Sequence, residues 1–295
     1  MKTNSIYKTS LLAAALLLAA TSCVKDELHD TPHPDTGKIT VTADWTDRGD
    51  GVDIPAEWTV TMDGYTGTET GATHTPDYLF APGNYTLAAY NPPENITISG
   101  TTATVAKAHG DAADLFISNV PGWLFTSVQE VTIEADTDYE LTAVMHQQVR
   151  QLTLVIEPTG DAKDRIESIE GHLSGAAGAF DFATGTYGAA SDVALHFTKI
   201  TEGEDAGKWT ATVRLLGIAG DTQRLTATLT YADGNSADTG LESDLTAALA
   251  DFNSDKTVPL TLGGTLVETP EETEFSGFEI TGWEPVDGGD ASAEM

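Results

Sequence analysis

Apolar and polar residues alternate with a period of two through most of the chain between residues 38 and 283, and this pattern restricts the fold more than any other feature. Successive side chains of a strand point to opposite faces, so such alternation marks a sheet with one face buried. Residues 39–45 (ITVTADW) put Ile39, Val41, Ala43 and Trp45 on one face. Residues 58–62 (WTVTM) do the same before Asp63-Gly64, a tight-turn pair. Pro82-Gly83 launches the run 85–90 (YTLAAY), which Asn91-Pro92-Pro93 ends. Residues 96–99 and 102–106 flank Gly100 as a short hairpin, and 128–133 and 139–145 read as two further strands. A second series follows at 151–156, 166–173, 179–182, 193–198, 209–216 and 225–231, and 258–262 and 275–283 close it. One helix is predicted over 243–252: Ser243 or Asp244 caps it, and Leu245, Leu249 and Phe252 fall at i, i+4 and i+7.

Many short strands, turn dipeptides between them and a single helix indicate an all-β chain of antiparallel sandwiches. The strands are too many for one small sandwich. The expected division is a first sandwich over 38–148 and a second over 149–283, each of ordinary domain size and the second holding the short helix. An acidic, Gly-rich tail, 284–295, follows.

The 14 Lys+Arg stand against 46 Asp+Glu, a formal charge of −32. Nucleic-acid binding draws its affinity from basic residues, so no nucleic-acid partner is expected, nor adhesion to anionic lipid through a basic patch. Cys23 is the only cysteine, which excludes an intrachain disulfide and a Cys-based zinc site.

That cysteine sits in a telling place. Lys2 and Lys8 precede ten apolar residues, 11–20 (LLAAALLLAA), about half of what a membrane-spanning helix needs but enough for the core of a secretory signal. Ala20-Thr21-Ser22 then leads into Cys23. Small residues there let a signal peptidase grip an extended chain, and the arrangement resembles a bacterial lipobox. Residues 1–22 are therefore read as a lipoprotein signal peptide and Cys23 as a lipidation site, bearing diacylglycerol and palmitate, that ties the protein to outer-membrane lipid; several acyl chains hold where one does not. Removing residues 1–22 takes away two of the 14 positive charges and leaves −34. Val24-Lys25-Asp26-Glu27 resembles the surface-export signal of Bacteroidetes lipoproteins, and 23–37, with Pro32 and Pro34, reads as an extended acidic tether.

Catalytic signatures are scarce. The histidines 29, 33, 74, 109, 146, 172 and 196 form no H-E-x-x-H pair. Gly171-His172-Leu173-Ser174-Gly175 has its serine one place late for a nucleophile elbow, and 203–208 is one residue short of a phosphate loop. Residues 251–255 (DFNSD) have the oxygen spacing of a calcium loop, but Lys256 stands where its glycine belongs. Asp44, Asp47, Asp50 and Asp53 are better read as a solvated loop than as a calcium site. No catalytic residue, cofactor or metal site is assigned, and the chain is not expected to be an enzyme. Arg48-Gly49-Asp50 is a tripeptide that some adhesion receptors read, too short to identify one. Trp58, Tyr65, Tyr78, Trp123 and Trp209 are the aromatics that would stack on sugars if they were exposed, though an aromatic in a sandwich is more often core.

Taken together, these residues resemble the fimbrillin-like lipoproteins of Bacteroidales, the group with minor and anchoring subunits of type V pili. Three features carry the likeness: the lipobox with Cys23 and residues 24–27; the stretch from 37–45 (GKITVTADW) through 79–90 (LFAPGNYTLAAY), where a Pro-Gly turn launches a strand; and the order of 150–156, 166–173, the late helix and 275–283. The resemblance implies two tandem transthyretin-like sandwiches, no enzymatic activity, and assembly with other fimbrial subunits by strand addition. It also implies that polymerising subunits are cut after an arginine, losing the first strand, whereas an anchor stays uncut. Arg48 is the nearest candidate for such processing. The acidic tail does not look like a donor strand, which favours an anchor or a stand-alone surface protein in contact with host or bacterial ligands. Two other readings stay open: a glycan-binding outer-membrane lipoprotein of a polysaccharide-uptake system, and a calcium-dependent adhesin or carboxylate hydrolase.

Overall fold

An alternating run becomes a strand where its apolar side has something to bury against, and in the computed structural model almost every such run does. The structure describes residues 35–108, 116–160, 162–232, 241–269 and 277–286. The strands, in chain order, are β1 (Lys38–Asp44), β2 (Trp58–Met62), β3 (Tyr65–Glu69), β4 (Thr73–His74), β5 (Gly83–Tyr90), β6 (Ile96–Ser99), β7 (Thr102–Val105), β8 (Phe116–Ile117), β9 (Phe125–Ile133), β10 (Asp138–Val144), β11 (His146–Gln147) and β12 (Arg150–Pro158). After the short helix α1 (Ala162–Arg165) come β13 (Ile166–Asp181), β14 (Thr186–Lys199), β15 (Trp209–Leu215), β16 (Arg224–Tyr231), β17 (Leu241–Asp244), β18 (Leu260–Thr269) and β19 (Gly277–Pro285).

Two sheets enclose a first core. One has the order β10-β1-β4 and the other β11-β9-β5-β2-β3. Between them lie Ile39, Val41 and Ala43 of β1 with Trp45, Trp58, Val60, Leu87, Phe125 and Met145. Trp45 meets the Phe125 ring edge to face at 5.6 Å. A longer ribbon, ordered β17-β16-β13-β14-β15-β12-β18-β19, wraps a second core. β14 pairs with β13 over most of its length but with β15 only at Thr198↔Thr210 and Lys199↔Trp209, so the ribbon turns over there. Its two ends meet where Ser243 Oγ donates to Ile280 O (3.0 Å) and accepts from Trp283 Nε1 (2.8 Å). The all-β, largely antiparallel architecture is the one expected; β1–β10, β12–β18 and β8–β14 are its parallel pairings.

Three local differences from the sequence reading have physical causes. Residues 166–173 and 179–182 were expected as separate strands and form the single β13, with a register shift between Leu173 and Ala176 that Gly175 accommodates at φ +76°. The helix expected over 243–252 is a succession of turns. Asp244 Oδ1 does cap Thr246 N (2.9 Å), and Leu245, Leu249 and Phe252 are buried as their spacing required. However, Leu249 N reaches Leu245 O, whereas Ala250 and Phe252 bond three residues back. A segment this short has marginal helical stability of its own, and tertiary contacts set its pitch. The short helix of this half is α1 instead. Finally, the hairpin β6–β7 precedes residue 148 in the chain yet pairs with β13 (Ala179↔Thr104, Phe180↔Ala103, Asp181↔Thr102) and buries Ile96, Ala103 and Val105 in the second core. Alternation tells which face is buried, not what it is buried against.

Candidate functional site

β1 is the middle strand of its sheet. It pairs in parallel with β10 from Lys38↔Asp138 to Asp44↔Val144, and with β4 at Val41↔His74 and Thr42↔Thr73. Ile39 and Val41 are fully buried, and Thr40 and Thr42 bond through their hydroxyls to Thr75 and Thr73, each at 3.1 Å. Removing this strand would open a groove with unpaired backbone groups on both sides.

The loop after β1 carries Arg48. Its Nη1 donates to Trp45 O (2.8 Å) and its Nε to Val52 O (3.1 Å), so the exposed guanidinium is folded back on its own loop. Gly49, by contrast, is buried. Its N–H donates to Gln147 Oε1 (2.9 Å), and a Cβ there would stand 2.3 Å from Thr257 O. Gly49→Ala is therefore expected to push the 255–258 loop away and destabilise the chain by about 2 kcal/mol, the scale of an overpacked site; a thermal melt checks it. The middle of Arg48-Gly49-Asp50 is tucked in, so the tripeptide is not displayed as an open loop tip.

Gln147 ties this loop to the second core. Its Nε2 donates to Lys256 O (2.6 Å) and Val149 O (3.0 Å). Beside it the buried Arg150 donates from Nε to Val258 O (2.7 Å) and from Nη1 to Phe252 O (2.8 Å), with its guanidinium 5.1 Å from the Phe252 ring centroid. Lys256 Nζ donates to Gln148 O (2.9 Å) and Leu216 O (3.0 Å), with Gln148 Oε1 at 3.4 Å, and lies 4.6 and 4.9 Å from the Phe180 and Tyr187 rings. Burial lowers the Lys256 pKa to about 7 and raises that of the Tyr187 phenol to about 12. Asp255 is held below the usual carboxylate range by the hydroxyl and N–H of Thr257.

A depression of 430 Å³ opens at this junction, lined among others by Asp47, His146, Phe180, Tyr187, Asn253 and Lys256. Most of its polar groups are already spent within the protein. Asn253 bonds Ile218 N and O, and His146 Nδ1 faces Asp47 Oδ2 at 2.5 Å. The Phe180 and Tyr187 rings stack on each other at 4.6 Å.

The other residues singled out from the sequence fall as follows. Cys23, and with it residues 24–27, lies outside the described residues. His74, His146, His172 and His196 each face a carboxylate: Glu69, Asp47, Asp192 and Glu170. Ser174 Oγ accepts from Arg224 N, away from any nucleophile geometry. Asn253 and Asp255 turn their oxygens onto the backbone, and among the described residues no three His, Cys, Asp or Glu side chains gather as a metal site. Trp58 and Trp209 are core, whereas Tyr78 is 44 % exposed at one end of the first core beside Tyr65 and Phe80. No described helix is long and apolar enough to cross a membrane. Sequence reasoning missed Gln147 and Lys256; no local pattern marks residues whose partners lie about a hundred positions away.

Known proteins supply the rest. No curated protein matches the chain by sequence. Among solved structures, a candidate adhesin from Bacteroides ovatus superposes with a TM-score of 0.58 at 16% identity, covering 87% of this chain and 95% of its own. The fimbrial anchor protein Mfa2 from Porphyromonas gingivalis does so with a TM-score of 0.54 at 16% identity, covering 84% and 98%. At such identities these likenesses speak to the fold. The sequence profile of the fimbrillin-A associated anchor proteins Mfa1 and Mfa2 matches residues 57–287, most of the chain. With that match, an all-β fold shared with a solved fimbrial anchor, and a first strand seated in its sheet, the chain belongs to the family of fimbrillin-A associated anchor proteins.

Proposed function

We propose that the chain is a non-catalytic lipoprotein, held in the outer membrane by acyl groups on Cys23 and exposed at the cell surface, that keeps its first strand and docks fimbrial subunits. The observation that carries this reading is β1 itself: it fills the centre of its sheet, and the Arg48 loop behind it is fastened rather than displayed. A base subunit needs such a retained strand, because the tether at 23–37 reaches the body through β1. Cutting after Arg48 would sever the body from its lipid. We read the chain as two domains, 38–148 and 149–283, with residues 96–105, Ile117 and Leu124 of the first contributing to the second core. Docking of a subunit would use strand addition, in which main-chain hydrogen bonds give affinity and side-chain pockets give register.

Crosslinking on intact cells followed by mass spectrometry tests the reading. A pilus-like chain is expected among the neighbours, and Cys23→Ser is expected to move the protein from the membrane fraction to the soluble one. Neighbours drawn only from glycan uptake, with membrane retention unaffected by Cys23→Ser, would overturn it.

A further inference from the structure

We propose that Lys256 is the peg of a latch that fastens the two cores across their junction and, through Gln147, withholds the Arg48–Gly49 peptide from proteases. The proposal rests on the anchor reading only for the value of keeping β1; the latch itself is a property of the folded chain.

The Lys256 side chain joins segments that are far apart in sequence. From the 251–258 loop it reaches Gln148 O in the linker between the cores and Leu216 O at the end of β15, and it lies against the Phe180 and Tyr187 rings of the β13–β14 hairpin. Both carbonyls accept from the amine whether or not it carries its third proton. The carbonyl of the same residue accepts from Gln147 Nε2, and Gln147 Oε1 accepts the Gly49 N–H. A continuous set of bonds therefore runs from β15 through Lys256 and Gln147 to the peptide after Arg48. Lys256 itself is buried and its amine is bonded to two backbone carbonyls, which is why the junction depression reads as a fastening rather than a ligand site.

A protease must draw several residues on each side of the cut into an extended conformation, and here that requires three separations. The Gly49 N–H must leave Gln147, the Gly49 backbone must withdraw from Thr257, and the Arg48 guanidinium must release Trp45 O and Val52 O. Cutting thus requires local opening, and its rate follows the population of the opened loop.

The test is limited digestion of the full chain in detergent with an arginine-specific protease, following by mass the product that begins at Gly49. Lys256→Ala and Gln147→Ala are expected to be cut there about tenfold faster than the wild type, the size of a lost buried hydrogen bond, and the exposed Lys107→Ala at the wild-type rate. n-Propylamine, which replaces the missing side chain, is expected to restore protection in Lys256→Ala and not in Gln147→Ala. Unchanged cleavage in both variants would overturn the latch. Should Lys256→Ala unfold, seen as equal acceleration at Arg165 and Arg224, hydrogen exchange in the wild type decides. A Gly49 amide protected at least about a hundredfold supports the latch, and one exchanging like an open loop overturns it. None of these readouts depends on a fimbrial partner, so failure of the latch and failure of the anchor reading are told apart.

Discussion

Val41→Asp is expected to unfold the first core while the second stays folded. Val41 is fully buried at the centre of β1, between the two sheets. An aspartate there would bury a carboxylate with no cation among its core neighbours, which are apolar. The cost of such a group is about 4 kcal/mol or more, a large part of a domain's stability. The tryptophans largely divide the signal: Trp45 and Trp58 belong to the first core, Trp209 and the partly buried Trp283 to the second, and a Trp123→Phe background removes the one that packs against both. Near-UV dichroism and fluorescence during a urea titration should show an early transition for the first pair and a later one for Trp209. The conservative Val41→Ala should cost about 2 kcal/mol, less than the charge. A Val41→Asp chain that melts in one step at the wild-type midpoint would show that β1 contributes little to the core. The role assigned to its retention would then lose its physical basis.

Lys256→Met is expected to flatten the pH dependence of stability between pH 7 and 10. In the unfolded chain the amine has its ordinary pKa of 10.5, and burial lowers the folded value to about 7. Across that window the unfolded state binds more protons, so stability rises with pH. Below pH 7 the amine is protonated in both states and contributes no slope. Each unit of pKa difference is worth about 1.4 kcal/mol, so the full effect of the shift from 10.5 to about 7 is on the order of 5 kcal/mol, gained by the wild type and absent from the variant. Tyr187 pulls the other way above pH 10, because its phenol, raised to about 12, ionises more readily in the unfolded chain. Urea midpoints of both proteins at pH 6, 8 and 9.5 test this. Parallel curves would mean that Lys256 keeps its charge throughout, held by the carbonyls of Gln148 and Leu216.

Both predictions concern groups whose importance is visible to very different degrees in the sequence. Val41 belongs to a run whose alternation already puts it inside, and β2 occupies the residues that its pattern marked, Trp58–Met62. Leu245, Leu249 and Phe252 were correctly read as a buried stripe although the backbone that carries them turns more tightly than a helix. Lys256, in contrast, sits in an acidic, turn-rich stretch where a solvated lysine is the ordinary reading. It is buried because Phe180, Tyr187, Gln148 and Leu216 converge on it from three other parts of the chain.

Local sequence alone marked most of the longer strands, their inward faces, several turns and the acidic surface, because steric pleating and apolar burial act over two to four neighbouring residues; β3, β4, β8, β11 and β17 carried no such pattern. It also carried the resemblance to a fimbrial lipoprotein, on which the proposed leader and the proposed lipidation of Cys23 rest, because these are short contiguous patterns. Which strands share a core, that β6 and β7 join the second one, that β1 pairs in parallel with β10, and that Gln147 bridges Gly49 and Lys256 were decided only by the tertiary structure. Those contacts join residues about a hundred positions apart, and the energy that selects them comes from the assembled surfaces, not from any one segment.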